Sequence, residues 1–267
     1  MLQCLTMDLD KIRQRLDEER RSLPNGADAL DVRPLVTRAA SQVWKQHWII
    51  YSKLDETNAG AAIDEEVAHH RAIGQQFEWK LYAHDTPSDL MQRLRSHGFE
   101  IGPHEAVLVL DLNEPPAWVD APPEHDVIRL ERLEQVPMYR DVAEAAFGKD
   151  YSMTSTQLAD AIRAGDRGHL GYVGLCDGKP ASIGRLYTDP ASHFGGCYGG
   201  ATLPEFRGRG VYRAVVAARA RDAREMGARY LIVDALPTSR PILERLGFAH
   251  LTDTWACDWS PASATTE

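Results

Sequence analysis

Arginine and glycine alternate at residues 207–210, directly before a segment rich in alanine and valine. Gly208 and Gly210 permit a tight turn in which consecutive backbone N–H groups converge. The segment that follows has the composition of a helix, and the start of a helix favours anions because its first N–H groups are unpaired and its dipole is positive there. Arg207 and Arg209 add positive charge. This stretch is therefore predicted to bind phosphate.

Positive charge is concentrated around this loop. Residues 207–229 contain seven arginines and two acidic residues, whereas the whole chain has a formal net charge of −9. A Walker loop needs Gly-Lys-Ser/Thr at the helix start, and a dinucleotide loop needs a third glycine where Arg213 stands. One Arg-Gly-Arg-Gly copy in an acidic chain is poor support for nucleic-acid binding. We therefore expect a different phosphate ligand and no nucleic-acid partner.

The segments around the loop show a defined order of elements. The predicted order is a strand at 126–130, helices at about 133–147 and 155–164, strands at 170–176, 181–187 and 195–202, the loop and its helix, a strand at 230–234, and a short helix ending before Gly247-Phe248. Asp177-Gly178 predicts a hairpin turn. Four glycines weaken the strand at 195–202, which indicates that another group approaches its backbone closely.

The order Thr202-Leu203-Pro204-Glu205-Phe206-Arg207-Gly208-Arg209-Gly210, followed by helix, strand and Leu246-Gly247-Phe248, resembles the GNAT family, the Gcn5-related N-acetyltransferases. The resemblance implies an α/β (α+β) fold with a mixed, mostly antiparallel sheet flanked by helices. It also implies that a loop of the form Arg/Gln-x-x-Gly-x-Gly/Ala holds the pyrophosphate of acetyl-coenzyme A. Arg207 and Gly210 match this form, whereas Tyr212 stands where glycine or alanine is expected. The glycine-rich strand would meet the pantetheine arm.

The resemblance assigns the coenzyme site to the end of this strand, the loop and the helix start. The implied residues are Ala201, Thr202, Leu203, Arg207, Gly208, Arg209, Gly210, Val211, Tyr212 and Ser239. Arg209 or Arg213 could meet the 3′-phosphate. Alternatively, Arg213, Arg221 and Arg224, which share one side of the helix, form a solvated surface.

The catalytic residues are less defined. The family commonly has a tyrosine four residues before the glycine of Gly-Phe, where this chain has Leu243. Either Tyr198 or Tyr212 protonates the departing thiolate, or the thiolate leaves unassisted, or the domain binds coenzyme with little chemistry. Tyr198 ranks above Tyr212, which is expected near the pyrophosphate. Asp234 is the candidate general base, with a turn or helix-capping role as the alternative.

The first half repeats a pattern of the second half. WKLYAHDTPSDLMQRLRSHGFEI parallels YLIVDALPTSRPILERLGFAHL, so two tandem GNAT-like units are predicted. The first unit has Asn58-Ala59-Gly60 in place of the charged loop, followed by Asp64-Glu65-Glu66, and is expected to be a degenerate copy without coenzyme. The predicted domains are 1–112 and 125–260, with a proline-rich linker at 113–124 and a disordered tail at 261–267.

Composition excludes several other classes. No run approaches the roughly 18 apolar residues of a membrane span, and the N-terminal stretch is acidic and amphipathic, so a cytoplasmic protein without a membrane partner is expected. The four cysteines lack a Cys-x-x-Cys pair and the ten histidines lack ligand spacing, so no metal is predicted.

Three functions stay open at this point. The first is acetyl-CoA-dependent N-acetyl transfer to a small-molecule or peptide amine by direct attack in a ternary complex. The second is a coenzyme A-binding module without turnover. The third is transfer of a longer acyl chain, or transfer to a hydroxyl group. A homodimer is possible.

Overall fold

A computed structural model describes residues 7–21, 27, 29–42 and 45–261. Cys4, one of the four cysteines, and residues 262–267 of the predicted tail lie outside the described residues. The chain forms two compact units. The first contains Met1–Leu108, Ala235–Pro241 and His250–Glu267, and the second contains Val109–Asp234 and Ile242–Ala249. Each unit is made of separate segments of the chain. The predicted domains, 1–112 and 125–260, are continuous stretches and stay a prediction.

The helices and strands follow the predicted order closely. Up to β6 they are α1 (Leu9–Arg20), β1 (Ala29–Val32), β2 (Val36–Ser41), β3 (Gln46–Ser52), α2 (Ala59–Ala72), β4 (Phe77–Tyr82), α3 (Leu90–Ser96), β5 (Glu100–Ile101) and β6 (Glu105–Asp111). The remainder are β7 (Val127–Arg129), α4 (Val136–Phe147), α5 (Ser152–Ala164), β8 (His169–Cys176), β9 (Lys179–Tyr187), β10 (Phe194–Thr202), α6 (Val211–Glu225), β11 (Tyr230–Ala235), α7 (Arg240–Arg245) and β12 (Ala249–Trp259).

In the first unit the strand order is β1-β2-β3-β4-β12. Strands β1 to β3 are antiparallel, β3 and β4 are parallel, and β12 pairs antiparallel with β4 from Thr254–Tyr82 to Trp259–Phe77. Trp79, Trp259 and Ile63 are in the core of this unit. The strand β2 has no polar alternation, since five of its six residues are buried, and the sequence patterns did not reveal it.

In the second unit β7, β8, β9 and β10 form an antiparallel meander, and β11 pairs parallel with β10. Side chains of α4 and α5 pack on one face of this sheet, as shown by Tyr139 and Leu158 beside Val173 and Ile183. The other face carries α6, because the space beside Gly174 is filled by Val215 and Val211. The predicted fold, a mixed and mostly antiparallel sheet flanked by helices, is confirmed.

The internal repeat is visible in the topology. In the first unit β3, α2, β4 and α3 follow one another, and β3 and β4 are parallel neighbours. In the second unit β10, α6, β11 and α7 follow in the same order with β10 and β11 parallel. Among the described residues, no helix has the length and apolar content that crossing a membrane requires.

Candidate coenzyme site

Strands β10 and β11 diverge in the middle of the second unit's sheet. They pair over Phe194–Gly196 and Tyr230–Ile232. Beyond Gly196, β10 continues to pair with β9 as far as Thr202. A bulge interrupts that ladder between Tyr198 and Ala201, where Gly199 adopts a φ of +56°. The divergence leaves backbone groups of both strands facing a gap, which suits an extended ligand that hydrogen-bonds like a strand.

The predicted phosphate loop lies between the end of β10 and the start of α6. The Leu203 N–H donates to the Ala181 carbonyl at 2.9 Å, and Arg207 Nε donates to the Thr202 carbonyl at 3.2 Å. These bonds fix the first half of the loop. Gly208 and Gly210 have φ of +74° and +86°, a region that favours glycine.

The start of α6 has unpaired backbone donors. Gly210 is its N-cap and offers no side-chain cap, and the first helical bond is from the Ala214 N–H to the Gly210 carbonyl. The N–H groups of Val211, Tyr212 and Arg213 therefore belong to the open first turn. Together with the helix dipole, they fit a diphosphate.

The tyrosine that departs from the family pattern packs against the glycine-rich strand. A Cβ atom at Gly200 would lie 2.9 Å from Cε2 of Tyr212, so only glycine leaves room for this ring. Arg219 lies on the other side of Tyr212, with its guanidinium carbon 5.9 Å from the ring centroid. Tyr212 is thus half-buried, with its ring over the space that glycine leaves open at position 200.

Three arginines on one side of α6 have partners on the segment 113–124. Arg213 pairs with Glu124 at 2.6 Å, and Arg224 pairs with Asp120 at 2.5 Å. Arg221 Nη1 donates to the Val119 carbonyl at 2.6 Å. The segment 113–124 packs along this side of the helix, where its carboxylates and carbonyls accept from the arginines, while the Arg213 and Arg224 side chains stay 42% and 37% exposed. The predicted solvated surface stays a prediction beside these surface contacts.

Glu124 of that segment and the next residue, His125, reach the loop itself and were not predicted. His125 Nε2 lies 2.6 Å from the Arg209 carbonyl oxygen. The Glu124 carboxylate oxygen Oε2 lies 3.2 Å from the Cβ position of Gly210. Arg209 itself pairs with Asp177 at 2.7 Å. Both arginines proposed for the 3′-phosphate therefore already have a carboxylate partner, which a phosphate would have to replace.

The candidate catalytic residues lie on the diverging strands. Counted from the Gly196–Ile232 pair, Tyr198 and Asp234 are each two residues further along, so both project from the same face of the sheet. Tyr198 is 37% exposed, and its ring is edge-on to Tyr187 with centroids 5.2 Å apart. Leu243, at the position of the usual tyrosine, is only 2% exposed. Ser239 lies in the first unit, where its hydroxyl donates to the Leu236 carbonyl.

A polar cluster beside the bulge was missed. The Cβ position of Gly199 lies 3.4 Å from Arg185 Nε and 3.5 Å from the Tyr139 hydroxyl. Burial raises the pKa of Tyr139 to about 12. Burial, with Arg185 adding to it, lowers the pKa of His169 to about 4. Tyr139 and Arg185 are separate in sequence and follow no motif, so only the fold brings them together.

The comparisons with known proteins agree with this geometry. Residues 136–248 match the model of the acetyltransferase (GNAT) family, and this part of the chain is a domain of that family. No curated protein matches the chain.

The solved structures that it resembles share the fold over most of its length. A GCN5-related N-acetyltransferase from Kribbella flavida has a TM-score of 0.69 at 15% identity, over 95% of this chain and 96% of the other. A functionally unknown conserved protein from Staphylococcus epidermidis has a TM-score of 0.63 at 16% identity, over 89% and 95%. A tandem GNAT protein from the clavulanic acid biosynthesis pathway has a TM-score of 0.59 at 11% identity, over 97% and 96%. At these identities the likeness shows the GNAT fold.

Proposed function

We propose that this protein is an acetyl-CoA-dependent N-acetyltransferase that acts on the amine of a small molecule or a peptide. The observation that carries the proposal is the divergence of β10 from β11 beside the open first turn of α6. The gap between the two strands suits an extended ligand arm that contains amides. The start of α6, at the end of that gap, suits a diphosphate.

The residues for binding are those of the loop and the end of β10. The N–H groups of Gly208 to Tyr212 face the diphosphate, and Arg207 supplies charge beside it. The backbone of Ala201, Thr202 and Leu203 lies along the arm. Arg209 and Arg213 reach the 3′-phosphate when they leave Asp177 and Glu124. Ser239 has no assigned role in the second unit's site.

Bound acetyl-CoA supplies the thioester, and the residues of the chain manage protons around it. Asp234, directly or through water, takes a proton from the attacking amine, and Tyr198 gives a proton to the sulfur that leaves. The backbone N–H groups near Thr202 polarise the thioester carbonyl. Attack within a ternary complex needs no covalent enzyme intermediate, since position and proton transfer suffice.

The first unit is proposed to bind no coenzyme. Ahead of α2 the Asp55 carboxylate accepts the N–H groups of Thr57 and Asn58 at 2.8 and 3.0 Å, so an internal carboxylate holds the place of an anion. Further along, the same helix carries Asp64, Glu65 and Glu66. Those three belong to the second turn of α2, and each has a basic partner: His97, Arg33 and Arg38, respectively.

Leu243 favours one alternative, a coenzyme A-binding module without turnover, because a buried leucine cannot protonate a thiolate. Release of free thiol in the presence of a panel of amines separates the two functions. A transferase with a longer acyl donor or a hydroxyl acceptor would release thiol only with the corresponding substrate.

Calorimetry of acetyl-CoA binding tests the proposal. The wild type is expected to bind with a stoichiometry near one. The Arg207→Glu, Gly210→Glu double variant should bind at least about 100-fold more weakly, since it places two carboxylates at the anion site. An Arg163→Glu variant is the control, because Arg163 is exposed on α5 and its ion pair is with Asp160, three residues earlier on the same helix. Absence of binding to the wild type would refute the acetyltransferase assignment, and a stoichiometry near two would show that the first unit also binds.

A further inference from the structure

One face of the second unit's sheet carries a basic and aromatic cluster beside the bulge. Arg185 of β9 is the register partner of Tyr198 of β10, so both side chains project from the same face as Tyr187. His169 stacks on Tyr187 with ring centroids 4.1 Å apart. Tyr139 of α4 closes the cluster from above the sheet, since its hydroxyl and the guanidinium of Arg185 border the same space beside Gly199.

The Arg185 guanidinium has few bonds for a group in this setting. Its one side-chain hydrogen bond to a described residue is from Nη1 to the Tyr187 hydroxyl at 3.3 Å. Its Nε is buried without a partner, and so is the Tyr139 hydroxyl. In the described ranges of the chain no carboxylate forms an ion pair with Arg185. Of the five guanidinium N–H donors, only one therefore has a hydrogen bond to a described residue.

The surrounding charge increases this imbalance. Arg219 reaches the same strand from the other face, where Nη1 donates to the Arg185 carbonyl at 3.4 Å, and only 1% of Arg219 is exposed. Arg219 also has no acidic partner among the described residues. A semi-buried cation without a counter-ion is unfavourable, because burial removes hydration that no anion replaces. The cluster is thus suited to an anion that arrives from outside.

The shape of the donor set points to a carboxylate. Arginine offers parallel N–H donors in a plane, which match the two oxygens of a carboxylate, and a tyrosine hydroxyl beside them can donate a further bond. The exposed Tyr198 ring, together with Phe147 stacked on Tyr151 at 5.2 Å, offers apolar surface near the same face.

We propose that the acceptor of the acetyl group is an amine that also carries a carboxylate, and that Arg185 binds this carboxylate beside the bulge of β10. This proposal rests on the proposed function, because Tyr198 and Asp234 mark the acceptor side of the same gap. Arg185 is then the residue that selects amino acids over simple amines. The reaction itself is unchanged: the amine nitrogen forms the new bond to the acetyl carbon, and the thiol leaves with a proton.

Initial rates with matched acceptors test this selection. The standard α-amino acids and β-alanine are each compared with the corresponding carboxamide, which keeps the amine and removes the charge. In the wild type, kcat/KM for the best acid is expected to exceed that of its amide by at least about 30-fold, the effect of one charged bidentate contact. In Arg185→Gln this ratio should fall to near one. Arg163→Gln, on the exposed side of α5, should keep the wild-type ratio.

Further variants keep the test decisive. If Arg185→Gln does not fold, Arg185→Lys and Tyr187→Phe should each lower the ratio in part, since the first removes the planar pair of donors and the second removes the hydroxyl that holds Nη1. An equal preference of the wild type for acids and amides would overturn the proposal. So would an equal loss for both in Arg185→Gln, which would indicate a role in the chemistry or in the fold.

Binding distinguishes failure of this proposal from failure of the proposed function. If the wild type binds acetyl-CoA but transfers no acetyl group to any acceptor, the proposed enzymatic function is refuted. Calorimetry of the same acids and amides with coenzyme A-saturated protein then still decides the acceptor class. Selective binding of acids, lost in Arg185→Gln, would support the carboxylate site, and binding of neither would refute it.

Discussion

Arg185 and Arg219 are the residues in which the second unit departs most from an ordinary interior. Buried arginines are usually paired with acids, yet neither has an acidic partner among the described residues, and Arg219 is 1% exposed. Arg219 donates to the Arg185 carbonyl and lies beside Tyr212. Two positive charges of the second unit are therefore not balanced by an adjacent carboxylate of the described residues.

His169 makes the stability of the second unit depend on pH. Its pKa is lowered to about 4, first by burial and then by Arg185. The folded state binds this proton more weakly than the unfolded state, whose histidine has a pKa of about 6.5, so the contribution is full above pH 6.5 and is lost as the pH falls toward 4. Between pH 7 and pH 5 this amounts to about 2 kcal/mol. Between pH 7 and pH 5, the free energy of unfolding should therefore fall by about 2 kcal/mol less in His169→Gln than in the wild type.

Denaturant unfolding at pH 7 and pH 5 measures the difference. His193→Gln is the matched control, since His193 lies exposed in the same unit. Identical pH dependence in the wild type and in His169→Gln would contradict the assignment of a neutral, buried imidazole. His70 of the first unit, whose pKa burial also lowers to about 4, should behave in the same way in that unit.

The backbone conformation of the predicted phosphate loop could be anticipated from the sequence. The cluster that contains Tyr139 and Arg185 could not. Glycines at positive φ and a helix start with arginines leave a local trace in sequence, and Gly208 and Gly210 have the expected backbone. Tyr139 and Arg185 come from α4 and β9 and meet only through the sheet. Arg213 was named from the sequence as a candidate for the 3′-phosphate, but its partner Glu124 was not predicted, because a linker carries no signal of where it packs.

At the scale of elements, α6 is held by the segment that precedes the domain. Three arginines on one side of the helix bind Val119, Asp120 and Glu124 in succession. Trp118 adds an indole bond to the Leu246 carbonyl at 3.0 Å. The segment 113–124, which its proline-rich composition predicted to be only a linker, therefore helps to position α6.

Glu124 is expected to weaken coenzyme binding. Its carboxylate pairs with Arg213 at 2.6 Å and lies near Gly210, so it competes with phosphate for the helix start and for the arginine. Glu124→Gln should bind acetyl-CoA about 3- to 10-fold more tightly at low salt, since it removes an exposed charge at a helix N-terminus. Calorimetry at two salt concentrations measures this, and the gain should shrink at the higher one.

Asp120→Asn provides the control for that measurement. Asp120 pairs with Arg224 on the same side of the same helix, but about 16 Å further along it at 1.5 Å per residue. It should leave the affinity unchanged. Weaker binding by Glu124→Gln would show instead that the Glu124–Arg213 pair positions the loop.

Element order was predictable because each long element has a clear period or composition. The strands β8, β9, β10 and β11 lie within a few residues of their predicted bounds, and the helix α6 follows the loop as predicted. The misses have physical causes. The strand β2 is buried on both faces and contains Arg38, whose partner Glu66 lies on α2, so its pattern did not resemble that of a strand.

At the scale of the molecule, the two units are interleaved along the chain. The last long strand, β12, belongs with the first unit, where it covers the edge of β4 and contributes Cys257 and Trp259 to the core. The repeat in sequence suggested two consecutive units, and it could not show that this strand returns. Pairing between distant segments depends on register and burial, which periodicity does not encode.

A fragment of residues 1–112 is expected not to fold cooperatively. Without β12, the strand β4 lacks one of its neighbours, and the core loses the buried side chain of Trp259. Truncation of a buried tryptophan lowers the free energy of unfolding by about 3–5 kcal/mol. Circular dichroism during heating and binding of a hydrophobic dye measure this. The same residues within the full-length chain, followed by hydrogen exchange, are the control. A sharp unfolding transition of the fragment would contradict the expectation.

The return of β12 also orders events during translation. Strand β4 leaves the ribosome early, but its partner is made only after nearly all of the second unit has been synthesised. Throughout that interval the nascent chain exposes an open sheet edge beside unfilled apolar surface, which is where other chains would attach. Folding of the first unit must therefore wait until β12 has left the ribosome, and a chaperone that holds the emerging chain should raise the yield of native protein.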